Sequence, residues 1–316
     1  MLSESEEQHS IFHDSWKRLG WVEKQAGYVR ALCGPLIDLP RTAPLKATID
    51  ESASSKAHIE FVVDVSNRPE LAEDVNFLIG DIVTNARSCL DMAVDSIWNH
   101  YGLDRKGVFV QFPLESDYHR KISGGKREPL RKFVERLDHR FARVIEQAQP
   151  DYSDGLVDIP ANLSALAISY LSNANKHRNI TPVIMRLSLA VVGQKGEGLS
   201  LNTIGESSGP PIRFALDYDP VRYAEPDIRT YIAALEQRGP SPLHVGINQQ
   251  LIIDRQSIPI SPPGFPSGTF DLPAEFEKLL VDVPEYVRLT LRNLDRVHRA
   301  VQAGDEDVFL DSSALL

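Results

Sequence analysis

The chain has 316 residues, 42% hydrophobic and 25% charged, with a net charge of −10. This composition suffices to bury a core in one large domain or two ordinary ones, and the negative charge argues against sequence-blind binding of nucleic acid over the whole surface. No apolar run approaches the roughly 20 residues that a membrane span needs, and the acidic start "MLSESEEQHS" is the opposite of a secretory signal, so a cytoplasmic protein with no membrane partner is expected.

The first predicted helix covers about Ile11–Cys33, with Trp16, Leu19, Val22, Ala26 and Val29 at helical spacing, and Gly34 and the following prolines are expected to end it. His9 and His13 stand four apart, a spacing that can hold a metal. No third ligand accompanies them, so they read as ordinary histidines near a terminus and no metal or other cofactor is expected. "LKATIDE" and "AHIEFVVDV" alternate around a polar "SASSK" and predict a β-hairpin at about 44–66. The strongest helical pattern runs from about Pro69 to Tyr101 and puts Ile79, Ile82, Val83, Ala86, Leu90, Ala93, Val94 and Ile97 on one face. Arg87 and Asp91 sit four apart at the border of that face, an ion-pair spacing.

"GVFVQFPL" reads as a short strand, and a basic helix is expected over about Pro129–Gln147. From Arg120 to Arg143 nine Lys/Arg face three acids, a local +6 against −16 for the rest of the chain. That run is either a phosphate-facing patch or a solvated face balanced by acids nearby. A helix apolar on most sides follows at Pro160 to about Asn175 and runs into "NANKHR". Alternating runs between 180 and 262 predict antiparallel strands, with a helical hint near Pro226–Gln237. A last helix is expected over Pro273–Val301, with Pro284 breaking it and Val287, Leu291 and Leu294 as its buried stripe, before an acidic tail expected to be disordered. Cys33 and Cys89, both in apolar helical patterns, read as buried thiols.

Two readings stay open for Lys176, His177 and Arg178. Cations in a last turn suit the negative end of a helix dipole, and Asn173 and Asn175 suit a helix C-terminus. Equally, His177 can move protons near neutral pH while Lys176 and Arg178 hold a phosphate.

"IGDIVTNARSCLDMAVDSIW", then "VFVQFPL", "EQAQPDY" and "YLSNANKHRNITPV", resembles a widespread family of bacterial and phage proteins that carries these motifs in this order. The resemblance covers about Glu60–Val192. That arrangement is in turn similar to HEPN domains, helical bundles in which an Arg and a His a few residues on form a metal-independent RNA-cutting site, commonly across a dimer. Here Met92 stands where the first window would carry the His, and Ser172 where the second would carry the Arg. The resemblance implies His177 as acid/base on a ribose 2′-hydroxyl, Arg87, Lys176 and Arg178 stabilising phosphate charge, Asn175 orienting and Asp91 holding Arg87. It also implies RNA and a second copy of the chain as partners, in phage defence or a toxin role. The alternative is a non-catalytic binding or scaffold protein in which Arg87, Asp91 and His177 form a structural polar network.

The expected fold is therefore α+β: a helical bundle with an HEPN-like four-helix core, an antiparallel β-sheet and a C-terminal helix. Residues 1–178 would form the bundle with the inserted hairpin, and 179–316 the strands and last helix, packed as one unit with the bundle.

Overall fold

The computed structural model describes residues 10–42, 47–55, 58–63, 71–72, 74–123, 128–152, 162–177, 183–192, 201–203, 212–217, 230, 244–253, 257–260, 268–271 and 276–311, with backbone alone at 37–42, at 174–177 and over most of the later strands. Helices dominate: α1 (His13–Thr42), α2 (Asp74–His100), α3 (Tyr118–Ser123), α4 (Glu128–Arg136), α5 (His139–Gln147), α6 (Leu163–His177) and α7 (Phe276–Ala303). The strands are β1 (Ala47–Ile49), β2 (His58–Val63), β3 (Val183–Val192), β4 (Leu201–Thr203), β5 (Ile212–Asp217), β6 (His244–Ile253), β7 (Ser257–Ile260) and β8 (Gly268–Asp271). Among the described residues no helix is long and apolar enough to cross a membrane.

The chain divides into two compact units, and not at 178/179. One comprises Met1–Leu32, Ala72–Ile184 and Ile252–Leu316; the other comprises Cys33–Leu71 and Met185–Leu251. The reason lies in packing partners that are distant in sequence. In the first unit α7 packs against α2, α5 and α6, so the last helix belongs to the bundle. In the second, β2 pairs antiparallel with β5, Phe61 opposite Phe214, so the hairpin belongs with later strands in the order β1-β2-β5-β4. Arg213 on β5 ties that sheet to the hairpin, donating to Asp50 at 2.7 Å and Glu60 at 3.0 Å. Strands β3 and β6 pair with each other, as do β7 and β8.

The bundle core follows the helical periodicity. Every residue of the apolar face expected on α2 is buried, and so are Val287, Leu291 and Leu294 on α7. Burying a side chain of this size contributes about 1.5–3 kcal/mol each, which is why the stripe decides how these helices dock. Trp98 stacks on Phe133 of α4 at 4.7 Å, and α1 is tied to α7 by the bond from Trp16 Nε1 to Asp295 at 2.9 Å. Gly102, at φ 61°, closes α2: the Leu103 N–H reaches back to the Trp98 carbonyl at 3.0 Å, a closure that needs the left-handed backbone glycine accepts readily.

Several expected boundaries are corrected. α1 does not stop at Gly34 but runs on to Thr42, with Cys33 and Leu36 buried on either side of the Gly-Pro step. α2 starts at Asp74, and Pro69 lies outside the described residues. α7 passes through Pro284, flanked by buried Val283 and Tyr286. In these helices burial outweighs the roughly 3 kcal/mol that an interior proline costs. The basic helix is two helices, because the Asp138 side chain accepts from the Arg140 N–H at 2.9 Å and caps a new start there. The described part of the tail is held in place at Asp311, whose backbone exchanges two hydrogen bonds with the Asn293 amide at 2.9 and 3.1 Å. Of the helical hint near 226–237 only Thr230 is described.

Candidate functional site

Helix periodicity puts Arg87 and Asp91 at the edge of the buried face of α2, and their side chains are 14% and 26% exposed. Arg87 Nε donates to the Asp91 carboxylate at 3.2 Å, the expected i,i+4 pair. The pair then does something that spacing alone did not announce. Arg87 Nη2 donates to the Phe112 carbonyl at 2.5 Å, while the Phe112 N–H donates to Asp91 Oδ1 at 2.9 Å. One helix edge thereby satisfies both backbone groups of Phe112.

That corrects the strand expected at "GVFVQFPL": residues 108–114 form no strand. An alternating apolar run looks like a strand, but a strand is defined by a partner, and here side chains replace it. The same substitution continues along the segment. Ser169 of α6 donates to the Leu114 carbonyl at 2.9 Å, and the Glu115 N–H donates to Gln149 Oε1 at 3.1 Å. Gln149 is fully buried and anchors its own amide on the Ile145 carbonyl at 2.6 Å. Tyr286 of α7, also fully buried, donates to the Ala148 carbonyl at 2.6 Å. The first three motif windows thus meet in one hydrogen-bonded assembly, to which Ser169, just before the fourth, also belongs. Ser169 and Tyr286 carried no signal in the sequence, because a hydroxyl inside an apolar helix announces its partner only once the helices are docked.

The assembly borders an open cleft of about 590 Å³, lined by Arg87, Phe109, the Phe112–Ser116 segment, Phe133, Ser169 and Asn173. Phe109 is 77% exposed at its rim. Of the residues singled out from sequence, Arg87 lines this cleft and Asp91 fixes Arg87. Asn175, Lys176 and His177 end α6 and are described by backbone alone, while Arg178 lies outside the described residues. His9 likewise lies outside them. Among the described residues no group of three or more His, Cys, Asp or Glu is placed to hold a metal ion.

The basic run is largely spent on acids. Arg120 pairs with Asp117, Lys121 with Glu115 and Asp117, Arg131 with Glu135 at 3.4 Å, Arg136 with Asp104 at 3.2 Å, and Arg140 with Asp138 at 2.7 Å. Lys126 and Arg127 lie outside the described residues. Five of the nine cations of this segment are thus paired with acids.

Both thiols are buried and free. Burial pushes Cys89 up to about 12 and Cys33 up to about 11, which removes them as nucleophiles.

Searches against protein-family models, curated proteins and solved structures match nothing.

Proposed function

We propose that the bundle is HEPN-like and that its cleft binds or cleaves RNA, in phage defence or a toxin role. The observation that carries this reading is the company of Arg87: its side chain lines an open cleft together with Asn173, which lies four residues before His177 on α6. In this reading His177 takes the proton from a ribose 2′-hydroxyl as that oxygen attacks phosphorus, and returns a proton to the leaving 5′-oxygen. Arg87, Lys176 and Arg178 stabilise charge on the phosphoryl oxygens, and Asn175 orients the group. No cofactor takes part. A second copy of the chain is a proposed partner.

The test is RNA degradation in buffer with chelator. His177→Ala is expected to abolish it while the circular dichroism spectrum and melting curve stay intact; equal cleavage by the variant overturns the reading.

The bonds from Arg87 and Asp91 to Phe112 favour a second reading, a binding or scaffold protein in which these two residues, with His177, serve as structural fasteners. Under it the wild-type protein degrades no RNA, and Arg87→Ala and His177→Ala lower the melting temperature. An unchanged melt in both variants counts against it.

A further inference from the structure

The turn Ala148–Tyr152 is where α3, α5, α6 and α7 are joined. Besides the Tyr286 and Gln149 bonds, the Pro150 carbonyl accepts the Asn162 N–H at 3.0 Å, and Asn162 Oδ1 accepts the Ala165 N–H at 3.1 Å at the start of α6. Asp151 occupies the centre of this turn and is 2% exposed, yet neither carboxylate oxygen has a hydrogen-bond partner among the described residues. The backbone N–H groups of His119 and Tyr118, at the start of α3, lie near it without closing a full bond. A buried carboxyl without a closed hydrogen bond calls for an explanation, since its ionised form is only partly compensated by His119 and the nearby N–H groups.

The titratable groups around it among the described residues are His119 and Tyr118 on α3 and Glu146 on α5. His119 Nδ1 lies 3.6 Å from Glu146, so the imidazole is shared between two acids. Just before α3 come Glu115 and Ser116, which line the cleft.

We propose that Asp151 is a proton-controlled positioning residue: as a neutral acid it seats the turn Ala148–Tyr152 against α3, and on losing its proton it loosens α3 together with the Glu115–Ser116 wall of the cleft. Burial pushes this carboxyl up to about 6, with the nearby His119 and the N–H groups opposing the shift. An acid whose folded value is raised favours the closed form at low pH, and that advantage is lost as pH rises through the folded value. The device therefore acts between about pH 4 and pH 6 and has run its course by about pH 7. Its consequence for RNA rests on the reading of the cleft given above, whereas its test uses no RNA.

The test is hydrogen–deuterium exchange of the full chain, comparing amides of 115–123 with those of α7 as internal reference, at pH 5 to 8 and corrected for the intrinsic exchange rate. With an exposed carboxyl titrating near 3.9, the opening equilibrium of α3 is expected to rise about tenfold over that window. In Asp151→Asn, which cannot ionise, the profile is expected to be flat. A wild-type profile that changes less than twofold overturns the proposal whether or not the variant folds, and so does the same rise in Asp151→Asn.

Discussion

Arg87 and Phe112 are joined side chain to backbone across 25 positions of sequence: the guanidinium holds the Phe112 carbonyl at 2.5 Å, and Asp91, its ion-pair partner, holds the Phe112 N–H. A helix-edge ion pair of this spacing is ordinarily worth only tenths of a kcal/mol. Here both charges also satisfy backbone groups of a fully buried residue, and hydrogen bonds to charged groups contribute about 1.5–3 kcal/mol.

Removing either partner should therefore cost more than a surface pair does. Asp91→Ala and Arg87→Ala are each expected to lower the unfolding free energy by about 2 kcal/mol, read from urea denaturation midpoints. In a double-mutant cycle the second substitution should add little, because the first already frees the segment. Additive losses would show that the two residues act separately.

Stability should fall on the acid side through His298. This ring is buried, accepts or donates at Nδ1 to the Tyr101 hydroxyl at 2.8 Å, and lies 4.9 Å from the His100 ring, with Asp295 and Arg299 beside it on α7. Burial, followed by the His100 charge, holds it below the usual imidazole range. A histidine lowered in the folded state contributes stability above its unfolded value, about 6.5, and that contribution is lost as pH falls below it. His298→Gln keeps a partner for Tyr101 but cannot titrate. The urea midpoint of the wild type is expected to drop relative to this variant between pH 7.5 and pH 5, and a constant difference would refute the assignment.

RNA binding, if measured at the cleft, should depend only weakly on salt. Five of the nine cations between Arg120 and Arg143 are paired with acids, so few counterions are released on binding. A plot of log K against log [salt] is expected to have a slope no steeper than about −3, corresponding to roughly three phosphates. A slope steeper than about −6 would mean that the basic run itself meets the backbone.

Thiol reagents offer a check on the core. Cys33 and Cys89 are wholly buried, and burial keeps both protonated at neutral pH. Native protein is expected to leave both unlabelled by iodoacetamide at pH 7.5 over an hour, with two thiols per chain labelled in denaturant. Labelling of Cys89 before unfolding would indicate that α2 opens locally.

The legible part of this protein was what depends on short-range periodicity. The apolar faces of α2 and α7, the buried thiols and the Arg87–Asp91 pair follow from side chains three or four residues apart on one helix, where spacing fixes direction. Proline and glycine misled at Gly34 and Pro284, since their local cost is small beside the burial of Cys33, Leu36, Val283 and Tyr286. The strand expected over 108–114 failed for a different reason. Alternation reports which side chains are apolar, but not who takes the backbone hydrogen bonds, and at Phe112 and Leu114 the takers are Arg87, Asp91 and Ser169.

The sequence by itself thus determined which helix faces are buried and placed "NARSCLD", "QFPL", "QPDY" and "NANKHR" in order along the chain. Only the tertiary structure decided that the first three converge on one hydrogen-bonded assembly beside an open cleft, that α7 belongs to the bundle, and that five cations of the basic run are paired with acids. The reason is physical: propensity and periodicity act within a few residues, whereas hydrogen-bond partners, ion-pair partners and clefts exist only between elements that packing has brought together.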